Sequence, residues 1–114
     1  MKSFNEFLLE TKGEHDDNKL YDELYSRVEK YLSKWGAGPV YGWKSDKGIA
    51  FKVTKGKNIK SNDWITIFYN PRYDDFTITL CPFGTDDIED ARSYKTNVYA
   101  GQEHIIIDEL LGLK

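Results

Sequence analysis

Apolar residues recur at helical spacing over residues 20 to 35, where Leu20, Leu24, Val28, Tyr31, Leu32 and Trp35 form one continuous stripe. Side chains three and four positions apart share a helix face, so the stripe predicts an amphipathic helix from about residue 18 to Trp35. Asp16 or Asp17 is the expected cap, Glu23 and Arg27 form an i, i+4 pair on its flank, and Gly36 is the expected stop.

Past Gly36 the period falls to two. Ile49, Phe51 and Val53 alternate with Ala50, Lys52 and Thr54, and Phe76, Ile78 and Leu80 alternate with Thr77 and Thr79. That is the pattern of half-buried strands. The runs "PVYGW", "GIAFKVT", "WITIFYN" and "FTITLC" are joined by "KSDK", "KGKNIKSND" and "PRYDD", connections short enough to favour an antiparallel meander of four strands. "TDDIED" reads as a helical turn, "SYKTNVYA" as a fifth strand, and "GQEHIIIDELLGLK" as a C-terminal helix. The expected fold class is α+β: an antiparallel meander of four to five strands with a long amphipathic helix and a C-terminal helix packed on it.

A smaller helical pattern lies at the N-terminus. Ser3 and Glu6 have capping-box spacing, and Phe4, Phe7 and Leu8 fall on one face. Two turns of helix are too few to stand alone in water, so this face needs a partner surface. The polar run that follows, interrupted by Gly13, separates it from the main pattern. The expected organisation is a short element at residues 1–10, a polar break at 11–17, and one compact domain at 18–114.

Composition narrows the function classes. The net charge is -3 with both signs spread along the chain, which argues against a general polyanion binder. Runs such as "III" and "WITIFY" are far shorter than the roughly 20 residues that span a bilayer. The N-terminal stretch, broken by Asn5 and Glu6, lacks the apolar block of a secretory signal. No membrane association is expected. Cys81 is the one cysteine, so neither a disulfide framework nor a zinc quartet is available, and a reducing cytoplasm is the default compartment.

No catalytic, metal or cofactor constellation emerges. His104 and Asp108 stand one helical turn apart, as a metal pair or an oriented base would, but two such residues are common on a solvated face. Cys81, before Pro82 at an apolar strand end, reads as a buried thiol. Gly36 and Gly38, or Gly56 beside Lys57, match no phosphate-binding or dinucleotide fingerprint. Two charge blocks are better candidates for a partner surface. Lys52, Lys55, Lys57 and Lys60 follow Lys44 and Lys47, with Trp43 or Trp64 as a base-stacking platform if the partner is nucleic acid. Asp74 and Asp75 precede a denser acidic run of Asp86, Asp87, Glu89 and Asp90. If the two blocks fold onto different faces, the surface is dipolar and steers a charged protein partner.

The stretch "MKSFNEFLLE" resembles the capsid targeting sequence of T-even bacteriophage internal proteins, a leader of the form Met-Lys-small-aromatic-polar-Glu-Phe-aliphatic-x-Glu. Lys2, Phe4, Glu6, Phe7, Leu8 and Glu10 match that form position by position. The resemblance covers about a tenth of the chain. It implies that the apolar face around Phe4, Glu6, Phe7 and Leu8 docks on the prohead scaffold, and that a prohead protease cuts after Glu10 within Leu8, Leu9 and Glu10. A second formal match to that cleavage rule, Ile107, Asp108 and Glu109, falls in the expected C-terminal helix. Removal of residues 1–10 takes the net charge from -3 to -2. The resemblance further implies a protein packaged inside the capsid and delivered to the host cytoplasm with DNA, where it inhibits a host defence protein by binding. The acidic run at Asp86, Asp87, Glu89 and Asp90 is the first candidate surface, because a nuclease offers a basic DNA cleft; the loop of Lys55, Lys57 and Lys60 is the second. A cytoplasmic interaction domain without packaging, with residues 1–10 in its core, and a weak nucleic-acid binder are the alternative readings.

Overall fold

A computed structural model describes residues 15–43, 48–60, 62–85 and 87–113. The proposed targeting and cleavage positions, Phe4 to Glu10, lie outside the described residues, as do Lys44, Lys47 and Asp86.

Helix α1 spans His15–Glu29, followed by strands β1 (Val40–Trp43), β2 (Gly48–Lys52), β3 (Asp63–Asn70) and β4 (Asp75–Pro82). A 3-10 turn at Ile88–Asp90, strand β5 (Ser93–Val98) and helix α2 (Glu103–Leu111) complete the order. The five strands form one antiparallel sheet in the order β1-β2-β3-β4-β5, each paired with its neighbour in sequence. The expected α+β meander with a C-terminal helix is therefore the observed one.

The main helix differs from its sequence pattern at both ends. It already includes His15, the first described residue, and regular α-helix stops at Glu29, before the expected end at Trp35. Residues 31–36 continue as tight turns, with Tyr31 N–H bonded to the Val28 carbonyl and Leu32 N–H to that of Glu29. Apolar spacing is nearly the same for a helix and a succession of such turns, so the pattern could not separate them. Gly36 does end the segment, at φ +61°, and a Cβ there would lie 2.0 Å from Thr54 Oγ1.

Strand alternation sends Ile49, Phe51, Val53, Ile65, Ile67, Phe76, Ile78, Leu80 and Val98 to one face. There they meet Leu24, Val28, Trp35, Ile107 and Leu111 from the helical layer. Trp35 stacks on Phe51 with ring centres 5.7 Å apart. Burying each such large side chain stabilises the fold by about 1.5–3 kcal/mol.

The opposite face is not the half-solvated surface that the alternation predicts. Ala50, Trp64, Thr66, Thr79 and Cys81 are all buried on it. The two threonines, directly opposed across β3 and β4, hydrogen-bond to each other, which satisfies their hydroxyls without water. Ala91, beyond the end of β4, packs on the Ala50, Trp64 and Cys81 cluster.

Candidate functional site

Because the sheet is a meander, the β2–β3 and β4–β5 connections emerge at the same end. These carry the two charge blocks. Asn62 and Phe83 tie them together through a backbone hydrogen bond of 2.8 Å. Asp63, fully buried, reinforces the join: its carboxylate accepts the backbone N–H of Lys60 at 2.8 Å and both its oxygens accept Nε of Arg92. A buried carboxylate left without such donors would cost several kcal/mol.

From this common root the two loops lean to opposite layers. The lysine loop folds toward the helices, where Asn58 donates its backbone N–H to the Leu111 carbonyl and its side-chain amide to that of Leu110. The loop thereby caps the C-terminal end of α2, where carbonyls lack intrahelical partners and cations are favoured. Thr54 and Lys55 both donate backbone N–H groups to the Trp35 carbonyl. Gly56, at φ +139°, is required by close approach, since a Cβ would lie 2.4 Å from the Leu111 carbonyl oxygen.

The acidic loop folds toward the other face. Its Thr85 carbonyl accepts the Trp64 indole N–H at 2.7 Å and the Cys81 thiol at 3.0 Å. Phe83 packs edge-on against Trp64, with Lys52 Nζ 4.5 Å from the Phe83 ring centre.

The structure thus places Lys55, Lys57 and Lys60 on one side of the sheet end and Asp87, Glu89 and Asp90 on the other, all exposed. None of the six forms an ion pair among the described residues. Their charges remain available to a partner. Asp74 and Asp75, from the same acidic count, sit at the opposite end of the sheet. Asp74 accepts the Tyr69 hydroxyl, which holds that phenol above its ordinary pKa. Asp75 is buried, its two oxygens taking the amides of Asn70 and Asn97.

Two proposed chemistries find different uses for their residues. Trp64 is 2% exposed, so its ring offers no stacking platform beside the lysine loop. His104 stacks on Tyr31 at 4.4 Å, while Asp108 accepts Trp35 Nε1 at 2.8 Å and Lys34 Nζ at 2.6 Å. Burial acts to raise the Asp108 pKa, but the hydrogen bonds from Lys34 and Trp35 and the charges of Lys34 and His104 outweigh it and hold the carboxyl below its ordinary value. Among the described residues no group of three or more His, Cys, Asp and Glu is placed to hold a metal ion, and no helix is long and apolar enough to cross a membrane.

The ion pairs that shape the molecule were not visible in the sequence. Arg27, expected to pair with Glu23 along its own helix, instead grips the buried Glu103 through Nε at 3.0 Å and Nη2 at 2.8 Å. Asp63 and Arg92 likewise meet across 29 positions. A buried carboxylate inside an otherwise apolar run, as at Asp63 before Trp64, is the one local hint that a distant cation is needed. Comparison of the chain with protein-family models, with curated proteins and with solved structures finds no match.

Proposed function

We propose that this chain is a phage internal protein, packaged in the prohead through residues 1–10, trimmed by the prohead protease after Glu10, and delivered with DNA to inhibit a host defence enzyme by binding it. The match of Lys2, Phe4, Glu6, Phe7, Leu8 and Glu10 to the targeting form carries the reading. One structural fact supports it. Asp87, Glu89 and Asp90 stand exposed, without an ion pair among the described residues, on a loop anchored by Arg92 and Asp63, an arrangement suited to a basic cleft.

The second proposed cleavage match is occupied by the fold: Ile107 is buried and Asp108 is bonded to Trp35 and Lys34. A protease that needs an extended substrate would have to unfold α2 to use it.

The test is the intact mass of the chain after co-expression with a prohead protease. Loss of residues 1–10 alone is the expected result. A full-length mass overturns the packaging reading and leaves an interaction domain that keeps its N-terminal segment.

A further inference from the structure

The end of the sheet that carries both charge blocks also carries exposed apolar side chains beside each of them. Leu113 follows Gly112, whose backbone lies against Lys57 and Asn58, and is 39% exposed on the lysine side. Phe83 and Ile88, 39% and 40% exposed, belong to the acidic loop. Three of the large apolar side chains left exposed among the described residues therefore gather at one end, next to three unpaired cations and three unpaired anions.

Opposite signs set on the two sides of one sheet end have a geometric consequence. A two-fold rotation about an axis between them brings each block onto its complement, whereas a surface of one sign would repel its own copy. The shared root at Asn62, Phe83, Asp63 and Arg92 ties the two loops to the same end of the sheet. We propose that this end of the sheet is a homodimer interface, in which Lys55, Lys57 and Lys60 of one copy face Asp87, Glu89 and Asp90 of a second, with Phe83, Ile88 and Leu113 excluding water between them.

Specific interfaces bury about 1,200 Å² or more in total, and two loops make a small one. The dimer is accordingly a weak one, formed at high protein concentration and loosened by salt. The inference rests on the fold and not on the packaging reading, and the acidic loop it uses is the one proposed to meet a host enzyme. Dimerisation and target binding compete for it: a crowded store favours the pair and dilution frees the loop.

Sedimentation equilibrium on the full chain tests this, from about 10 μM to about 1 mM protein and in about 20 mM against about 500 mM NaCl. The expected result is a monomer–dimer equilibrium whose Kd rises at least ~10-fold at the higher salt. Lys55→Glu/Lys57→Glu/Lys60→Glu and Asp87→Lys/Glu89→Lys/Asp90→Lys are each expected to be monomeric alone and to form a 1:1 complex when mixed. Ile88→Arg, a single exposed change, is expected to weaken the dimer ~10-fold and decides the matter should either triple variant fail to fold. A wild-type chain that stays monomeric at low salt, a dimer indifferent to these changes, or folded triple variants that ignore each other would overturn the proposal. None of these results bears on the mass measurement above.

Discussion

Trp35 and Lys34 share one carboxylate. Asp108 receives the indole N–H on Oδ1 at 2.8 Å and the ammonium on Oδ2 at 2.6 Å, so a single side chain of α2 holds the turn that follows α1. Arg27 on Glu103, Tyr31 on His104 and the Trp35–Asp108 bond follow one another along both segments, which shows that they run side by side in the same direction.

Replacing Asp108 by Ala strands the indole N–H of a fully buried tryptophan and is expected to cost about 1–3 kcal/mol at neutral pH. A carboxyl whose folded-state pKa lies below its unfolded value contributes its stability above the ordinary carboxylate range and loses it as the pH falls through the folded value. The gap between wild type and Asp108→Ala should therefore narrow below about pH 4. Urea unfolding followed by tryptophan fluorescence, repeated from neutral pH to about pH 3, measures both.

Arg27→Met leaves Glu103, 1% exposed, without its cation. The expected loss is about 3–5 kcal/mol, because an unpaired buried charge is costlier than the pair is beneficial. Arg27→Met/Glu103→Leu should recover much of it. A double-mutant cycle that finds the two losses additive would show that the pair is not coupled.

Gly56→Ala forces a Cβ into the Leu111 carbonyl and out of a glycine-favoured conformation, at an expected cost of about 1–3 kcal/mol. Its signature is local. Amide exchange at Asn58, whose N–H is bonded to Leu111, should speed up more than exchange in β3.

Deleting residues 1–10 is expected to change unfolding free energy by less than about 0.5 kcal/mol if they act as a detachable leader. A loss of several kcal/mol would place Phe4, Phe7 and Leu8 in the core instead. Guanidinium titrations of the two chains decide between them.

Local periodicity carries most of this fold. Phe76, Ile78 and Leu80 alternate in the sequence and lie together in the core, and the 3-10 turn at Ile88–Asp90 falls within the segment read as a helical turn. What escaped was set by long-range packing. The second sheet face reads as polar because Thr66 and Thr79 are hydroxyl residues, and their bond to each other and that of Thr79 to Cys81 make their burial acceptable. Nor did any local pattern show that the lysine and acidic runs share one end of the sheet. That follows from the strand count between them: β3 carries the chain away from that end and β4 brings it back.

The meander also sets the entropic cost of each closure. Each strand closes only a short loop to meet its neighbour, whereas Arg27 and Glu103 are 76 positions apart. Loop-closure entropy grows with that separation, so hairpins come cheaply and the helix pair, a clasp over the sheet, is the costlier contact to form.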